Sequence, residues 1–467
     1  MVAGPSDHKR VAMNDKKVIS GFSKLPKAGK LAWLVETFLR DPEKAVRELR
    51  SFWHQDEDVQ RILDGFSENT VSNYYLPFGI APNFLIDGKI YAVPMVIEES
   101  SVVAAASSAA KFWLDRGGFR TEVLATRKVG QVHFSWGGPI ERLYRLFDEL
   151  KEALLRDAAP ITANMEQRGG GVLDIELIDL SELEPDYYQL KVHFETCDSM
   201  GANFINTVLE EFGGTLVRFV DEHPAFEGSD RDLIVIMSIL SNYTPECIVR
   251  AWVECPVDEL NGLCADMDGP TFADRIRRAV RIAHIDPHRA ATHNKGIFNG
   301  VDAVVLATGN DFRAIEACGH TFAARDGKYR SLSDCSVEDG KFRFWLDLPI
   351  AVGTVGGLTR LHPLASRSLE LLGNPSAAEL MSIIAAVGLA QNFAALRSLV
   401  TTGIQKGHMK MHLQNILHHL GATEREVIEA VKFFKDHVVS FSAVRDFLEF
   451  FRQENKLPDP TLVFKKG

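Results

Sequence analysis

The stretch "AATHNKGIFNGVDAVVLATGNDFRAIEA", residues 290–317, places an ammonium and a carboxylate among small residues. Lys295 precedes Asp311 by sixteen residues, and Asn294 and Asn299 stand near the lysine among glycines that let a ligand approach the backbone. A lysine in such a segment is most often an ordinary surface residue. An ammonium held by a carboxylate can instead stabilise an oxyanion that develops on a carbonyl. The segment is therefore a candidate for carbonyl chemistry.

Glu98 and Glu99 stand where a predicted strand, "GKIYAVPMV", turns into an alanine-rich helix. Acidic residues are favoured at helix N-termini, and this accounts for the glutamates without any function. A carboxyl group that donates a proton at neutral pH needs burial or other carboxylates around it. The sequence leaves both interpretations open.

Three histidines, His408, His412 and His419, recur at near-helical spacing in "IQKGHMKMHLQNILHHLG". Histidines four residues apart can bind zinc, but the HExxH motif is absent and no acidic residue lies close by in the segment. We therefore predict no metal site. A proton donor near a helix terminus is the better interpretation of His408.

The segment "CDSMGANFINTVLEEF" places Asp198 and Ser199 at the start of a helix that follows a strand. Free backbone N–H groups and the positive end of a helix dipole suit a phosphate. The usual dinucleotide motif, GxGxxG after a strand, is absent. The glycines of "RGGG" at 168–171 and "GTVGG" at 353–357 are explained equally well by tight turns.

The chain has 467 residues, 46% of them hydrophobic, which is enough for two or three domains. Its formal net charge of -11 offers no general attraction to a polyanion, so nucleic acid is not an expected partner. Six cysteines without a CxxC pair indicate reduced thiols and a cytoplasmic location. We find no signal peptide and no stretch near the roughly 18 apolar residues of a membrane span, and we expect a soluble protein.

The sequence divides into four predicted regions. Residues 127–241 alternate in the order βαββαβ, which predicts an inserted ferredoxin-like domain. Around it, a large domain of mixed helices and sheets occupies residues 26–126 and 242–404. A polar tail, expected to be mobile, forms residues 1–25, and a helical unit forms residues 405–467. The expected fold class is α+β.

Five blocks occur in order: "VPMVIEESSVVAAAS", "DSMGANFINTV", "DPHRAATHNKGIFNGVDAVVLATGNDFRAIEA", "GTVGGLTRLHPLA" and "VGLAQNFAALRSLVTTGIQKGHM". Over about residues 75–420 the chain resembles class II, the soluble bacterial form, of 3-hydroxy-3-methylglutaryl-coenzyme A (HMG-CoA) reductase. The resemblance implies reduction of HMG-CoA to mevalonate and coenzyme A by two NAD(P)H, through mevaldyl-CoA and mevaldehyde, or the reverse oxidation. The expected ligands are HMG-CoA, mevalonate and coenzyme A.

The resemblance also implies roles for the candidate catalytic residues. Lys295 polarises the thioester carbonyl, and Glu99 supplies the proton when mevaldehyde is reduced. Asp311 bridges the lysine and the glutamate. His408 protonates the departing coenzyme A thiolate.

Binding residues follow from the same resemblance. Arg289 and Ser101 match positions that hold the carboxylate and hydroxyl of the substrate, with Asn299 in the same network and His412 as a secondary contact. The cofactor-binding start of the small-domain helix comprises Asp198, Ser199, Met200, Gly201, Ala202 and Asn203. Thr162 takes the place of the acidic residue that reads the ribose in NAD-using relatives, which favours NADPH over NADH.

The resemblance further implies a dimer or higher homo-oligomer that shares each active site. It also implies that the segment after about residue 405 closes over the substrate as a flap.

Two other functions compete with the reductase. A cysteine-dependent acylating aldehyde dehydrogenase also reduces CoA thioesters, but no cysteine lies in the blocks that carry the lysine, glutamate and histidine. A non-catalytic CoA- or nucleotide-binding relative is the other.

Overall fold

The computed structural model describes residues 17–262, 267–401, 403, 413–454 and 457–458. Their helices and antiparallel sheets confirm the predicted α+β class. Three N-terminal helices come first, α1 (Lys27–Phe38), α2 (Pro42–Ser51) and α3 (Glu57–Asp64). Part of the predicted tail lies outside the described residues. Within the rest, Phe22–Lys24 form a 3-10 turn, and the Phe22 ring packs 5.2 Å from that of Trp33.

The large unit continues with a two-stranded sheet and a helix laid across it. The strands are β1 (Phe78–Ile86) and β2 (Lys89–Val96), and the alanine-rich helix is α4 (Val102–Leu114). Small side chains let α4 pack closely, since Ala106, Ala109 and Ala110 are fully buried.

A four-stranded antiparallel sheet forms the centre of the large unit. Its order is β3-β8-β10-β9, from β3 (Arg120–Thr126), β8 (Cys247–Pro256), β9 (Ser333–Glu338) and β10 (Lys341–Pro349). The helices around it are α8 (Gly269–Ile285), α9 (Pro287–Ala307), α10 (Phe312–Ala323), α11 (Leu358–Leu361), α12 (Pro363–Leu371) and α13 (Ala377–Val400).

Helix α13 is the central core helix. The capping box of Ser376 and Glu379 starts it, and its side chains are buried from Leu380 to Ala394 with few exceptions. Its length and apolar composition would suffice to cross a membrane, so the expectation that no such stretch exists is wrong. In the fold, 72% of its most apolar window is buried inside the protein, as in the core helix of a globular domain.

The inserted unit is the predicted ferredoxin-like fold. Its elements are β4 (Lys128–Trp136), α5 (Ile140–Arg145), α6 (Phe147–Glu166), β5 (Gly171–Asp179), β6 (Tyr187–Glu195), α7 (Ala202–Glu222) and β7 (Leu233–Leu240). All strand pairs are antiparallel, in the order β5-β6-β4-β7. The two long helices, α6 and α7, pack on one face, over a core separate from that of the large unit.

The insert enters and leaves through neighbouring strands. Only Arg127 separates β3 from β4, and its N–H donates to the Glu246 carbonyl just before β8, at 3.1 Å. Thr126 on β3 is the register partner of Cys247 on β8. Both ends of the insert are therefore fixed at one edge of the large sheet.

A small helical unit ends the described chain. Residues 413–419 are helical, followed by α14 (Glu424–Phe433) and α15 (Phe441–Glu454), which bury a core of their own. The Arg452 guanidinium donates to both oxygens of the buried Glu426 carboxylate, at 2.7 and 3.2 Å. Glu426 also closes the capping box with Thr423 that starts α14.

We predict that Glu426→Gln weakens this unit in a pH-dependent way. The Arg452 hydrogen bonds hold the pKa of Glu426 at about 2, below its ordinary value of 4.5. The pair's contribution is thus complete above pH 4.5 and is lost as the pH falls towards 2. Because Arg452 is half exposed, we expect a loss of ~1–3 kcal/mol at pH 7.

Urea unfolding of this unit, followed by circular dichroism between pH 7 and pH 3, measures the effect. Glu449→Gln is the matched control, since that exposed carboxylate lies 4.0 Å from Arg445. The difference between wild type and Glu426→Gln should shrink as the pH drops. A difference that stays constant over this range would contradict the assignment.

Candidate active site

Two of the predicted catalytic residues meet directly. The Lys295 ammonium on α9 lies 2.6 Å from the Glu99 carboxylate, although the residues are 196 positions apart in the sequence. The lysine side chain is 60% exposed and the glutamate 39%, so both remain open to a ligand. An accessible ammonium can polarise a carbonyl and stabilise the oxyanion that develops on it, and a neighbouring carboxyl group is of a type that can transfer protons.

The turn between β2 and α4 presents Glu99 to the lysine. Ser101, the residue before α4, adopts a left-handed backbone with φ of 77°, which is uncommon for a residue other than glycine. Such conformations persist where the surrounding structure imposes them, often at functional sites. The predicted substrate residue Ser101 therefore lies at a strained turn two residues from Glu99.

A buried polar network anchors the segment of α9 that carries Lys295. His293 Nε2 lies 2.7 Å from the Ser333 hydroxyl, which donates to Asn392 on α13 at 2.7 Å. Asn294 bonds the backbone around β9 through its side chain, at 2.9 and 3.0 Å. Burial, with nearby Arg289 and His284, lowers the pKa of His293 to about 3, so the imidazole is neutral at pH 7.

The sequence predicted neither the role of His293 nor the hydrogen bonds by which Asn294 fixes the helix. Both residues face the interior, and their partners are distant in sequence. Their position next to Lys295 was the only available signal. They act on the site by fixing the helix from which the lysine projects.

Two predicted substrate residues lie on the same helix. Asn299 is one helical turn beyond Lys295, and residues four apart share a face of a helix. Arg289 is half-buried near the start of α9, and burial lowers its pKa, with no carboxylate against it among the described residues. A guanidinium without a carboxylate partner is suited to bind an anionic group of a ligand.

The structure does not bring Asp311 to the lysine within one chain. Asp311 starts α10, where it accepts hydrogen bonds from the backbone N–H groups of Arg313 and Ala314 and pairs with the Arg313 guanidinium at 3.0 Å. Burial acts to raise the pKa of Asp311, but these hydrogen bonds outweigh it and leave the pKa below its ordinary value. Asp311 is therefore an ionised acceptor here.

The geometry of α9 explains the separation. Asn310, next to Asp311, donates its N–H to the Val305 carbonyl, which places Asp311 near that end of the helix. Lys295 lies about 15 Å further back along the axis, since an α-helix rises ~1.5 Å per residue. Two side chains of these lengths cannot span that distance. No hydrogen bond or ion pair of the described residues joins Asp311 to Lys295 or Glu99, and the bridging role of Asp311 stays a prediction.

The remaining predicted active-site residues, His408 and His412, lie outside the described residues. Among the described residues, no group of three or more metal-ligating side chains occurs.

The predicted cofactor segment forms a loop between β6 and α7. Ser199 lies in the loop, and Gly201, with φ of 92°, leads into α7, which begins with Ala202 and Asn203. At Met200 the loop meets the large unit, where a Cβ on Gly353 would lie only 2.5 Å from the Met200 nitrogen. The "GTVGG" segment is therefore a place of close backbone approach.

The Asp198 side chain is hydrogen-bonded to the large unit. Its carboxylate accepts the N–H of Ala377 at the start of α13, at 2.7 Å, and its carbonyl accepts that of Thr354 at 2.9 Å. The sequence predicted Asp198 as a cofactor contact, and the structure uses its carboxylate to join the two units. A cleft of about 350 Å³ lies beside this junction, lined by residues that include Gly169, Asp198 and Ala377.

Thr162 does not face this cleft. Its side chain is 3% exposed within α6, and the hydroxyl donates to the Ala159 carbonyl. Arg168 directly precedes Gly169, which lines the cleft, and the Arg168 carbonyl accepts the Cys197 thiol at 3.3 Å. The side chain of Arg168 is exposed and has no acidic partner among the described residues. A charged residue adjoining a glycine run was the sequence signal for it.

The described cysteines lack the setting of a nucleophile. Burial raises the pKa of Cys247 to about 11 and those of Cys255 and Cys335 to about 12. Burial and the neighbouring Glu195 and Asp198 also raise the pKa of Cys197. Burial raises the pKa of Cys318 as well. A thiol must ionise to attack a thioester, so none of these five is suited to that step.

Comparison with known proteins identifies the family of this chain. The sequence model of the hydroxymethylglutaryl-coenzyme A reductase family matches residues 35–413. The Archaeoglobus fulgidus 3-hydroxy-3-methylglutaryl-coenzyme A reductase is 37% identical over 411 residues, which cover 85% of this chain and 89% of that protein. A Borreliella burgdorferi relative is 34% identical over 381 residues, 80% of this chain and 84% of its own.

A solved structure also matches this chain. The class II 3-hydroxy-3-methylglutaryl-CoA reductase of Streptococcus pneumoniae, bound to NADPH in open conformations, superposes with a TM-score of 0.67 and 38% identity. The match covers 82% of this chain and all of that one. Fold and site together define an oxidoreductase that uses a nicotinamide cofactor. The chain belongs to the hydroxymethylglutaryl-coenzyme A reductase family.

Proposed function

We propose that this enzyme reduces HMG-CoA to mevalonate and coenzyme A with two molecules of NAD(P)H. The contact of 2.6 Å between Lys295 and Glu99 is the observation that carries the proposal. It joins a cation that stabilises the hemithioacetal oxyanion of mevaldyl-CoA to an acid that protonates mevaldehyde. Equilibrium and cellular context decide whether the same site oxidises mevalonate instead.

The substrate lies along the exposed face of α9. The half-buried guanidinium of Arg289 receives the carboxylate of the hydroxymethylglutaryl group. Ser101, at the turn beside Glu99, and Asn299, one turn beyond Lys295, bind its hydroxyl and carbonyl oxygens. These contacts hold the thioester carbonyl within reach of the ammonium.

A second copy of the chain supplies Asp311 to each site. One chain cannot place that carboxylate beside Lys295, whereas an isologous dimer can bring α10 of one copy to α9 of the other. Exposed aromatic residues around the N-terminal helices and β1 support such an interface, among them Phe52, Tyr74 and Tyr75. We therefore propose a homodimer or a higher oligomer with shared sites.

The inserted unit holds the nicotinamide cofactor, and residues 26–126 and 242–404 hold the CoA thioester. The close approach at Gly353 and the N-terminus of α7 fit a dinucleotide, whose phosphates favour free backbone N–H groups. Ser199, Met200, Gly201, Ala202 and Asn203 form its binding loop. When bound, NAD(P)H supplies the hydride in each reduction.

NADPH is the proposed cofactor because Arg168 stands exposed at the glycine turn. An arginine accommodates the 2′-phosphate that distinguishes NADPH from NADH. We predict that Arg168→Gln lowers kcat/KM for NADPH about 30-fold and changes that for NADH less than about threefold, as expected for a lost charge-assisted contact. Arg156→Gln, exposed elsewhere on α6, is the control. Equal losses with both cofactors would contradict this role.

Residues 405–467 act as the flap that closes over the substrate. Within it, His408 protonates the coenzyme A thiolate as it leaves, which prevents its return to the aldehyde, and His412 contacts the substrate. No metal takes part. We place the soluble enzyme in the cytoplasm.

One assay tests the proposed function. Purified protein is mixed with HMG-CoA and NADPH, or NADH in a parallel series, while absorbance at the nicotinamide band and released thiol are both recorded. Two cofactors oxidised per thiol are expected. A ratio of one would indicate that reduction stops at the aldehyde, and no oxidation with either cofactor would indicate a non-catalytic binding protein.

A further inference from the structure

Lys128 is a buried cation without an anionic partner. It lies on β4 with 4% of its surface exposed, and no carboxylate of the described residues lies within 4.0 Å of its ammonium. Nζ donates instead to two neutral oxygens, the Thr196 hydroxyl at 2.6 Å and the Ser199 carbonyl at 3.4 Å. Lysines are rarely buried so fully unless a charge of opposite sign accompanies them.

The nearby carboxylates are engaged elsewhere. Glu195 accepts the Thr126 hydroxyl with one oxygen and the Cys197 N–H with the other, at 2.7 Å. Asp198 accepts the N–H of Ala377. The positive charge of Lys128 is therefore left unbalanced by any direct partner among the described residues.

The position of this charge connects it to the cofactor loop. Both oxygens that accept from Lys128 belong to Thr196–Gly201, the segment that leads into α7. Lys128 also lines the cleft of about 350 Å³ beside the loop, together with Gly169 and Asp198. A second, smaller cavity includes Lys128, Met200 and Ala202 in its lining.

We propose that Lys128 is an electrostatic positioning residue for the phosphates of the dinucleotide. Its ammonium, fixed under the loop, adds a full charge to the positive end of the α7 dipole. Because the lysine is buried from water, its charge is weakly screened by solvent, so it attracts a phosphate without touching it. The inference rests on the proposed function, since it requires that the loop bind a nicotinamide dinucleotide.

A purely mechanical role is the competing explanation. In that case Lys128 only ties two oxygens of the loop together, and its charge has no influence on the ligand. The two roles separate because glutamine can keep a hydrogen bond to Thr196 while losing the charge. Thr196→Val does the reverse, since it removes the hydroxyl and keeps the ammonium.

Calorimetric titration of the full-length protein with NADPH and with 2′,5′-ADP tests the proposal. Lys128→Gln should raise Kd for both ligands about 10-fold and flatten the dependence of Kd on salt concentration. The kcat at saturating cofactor should stay within about threefold of wild type, because the charge acts on binding. Lys128→Arg should restore most of the affinity.

Lys191→Gln, which removes the same formal charge from a partly exposed pair between β6 and β5, is the matched control and should leave Kd near wild type. An unchanged Kd and salt dependence in Lys128→Gln would overturn the proposal. So would a loss in Thr196→Val as large as that in Lys128→Gln. If Lys128→Gln fails to fold, Lys128→Arg and Lys128→Met are compared instead. A salt dependence of Kd that is preserved in Lys128→Arg but lost in Lys128→Met supports the proposal, and one preserved in both overturns it. Absent turnover in the wild type with intact NADPH binding would refute the proposed function alone.

Discussion

Lys295→Ala should lower kcat for HMG-CoA reduction by about 10³-fold, since loss of one oxyanion-stabilising donor has an effect of that order. No other described cation pairs with Glu99, so the alanine variant leaves the acyl oxygen without its charge. Stability should be nearly unchanged, because a pair this exposed contributes at most ~1 kcal/mol. Steady-state kinetics with saturating NADPH, alongside thermal unfolding, separates the two quantities.

Lys111→Ala provides a matched control, since that exposed lysine lies on α4 in the same unit. It should keep wild-type kcat. If Lys295→Ala retained more than about a tenth of the activity, the ammonium would not be the group that stabilises the oxyanion.

Mixing two inactive variants should restore activity. Asp311→Asn keeps the cap on α10, because asparagine also caps helices, but it removes the carboxylate charge. If Asp311 serves the site of its partner, a mixed dimer of Lys295→Ala and Asp311→Asn holds one intact site. Half of the randomly paired dimers are mixed and each has one good site of two, so about a quarter of wild-type activity is expected.

The two proteins must be co-expressed or unfolded and refolded together so that subunits exchange. Each variant treated alone in the same way is the control and should stay inactive. Recovery no greater than the sum of the two controls would show that Lys295 and Asp311 act within one chain, which then requires a rearrangement of α9 and α10. Sedimentation of the mixture checks that dimers are present.

The fold was largely accessible from the sequence. The alternation of strands and helices between β4 and β7 sufficed for the ferredoxin-like order, because period-2 and period-3.6 patterns were clear there. The spacing of Ser376 with Glu379 and of Thr423 with Glu426 is likewise that of the capping boxes that start two of the helices. The expectation that no apolar stretch is long enough to span a membrane was wrong at α13, since a core helix buried on all sides has the same apolar composition as a membrane helix.

The site was predictable in its residue types and less so in its geometry. Lys295 and Glu99 meet as expected. Asp311 does not, because residues 287–307 form one uninterrupted helix and set the two ends of the quoted stretch apart. Asp198 illustrates a second limit, since its partner Ala377 is 179 residues away and local spacing does not reveal such a tertiary contact.

The neighbouring ends of the insert make it a separable module. Thr126 and Cys247 are paired on the adjacent strands β3 and β8, so a two-residue hairpin could join them in place of the inserted unit. The shortened chain would keep the Lys295–Glu99 centre and the central helix. It would lose the nucleotide-binding surface in a single deletion. Gene rearrangements could exchange such a module between proteins without disturbing the strands on which it is mounted.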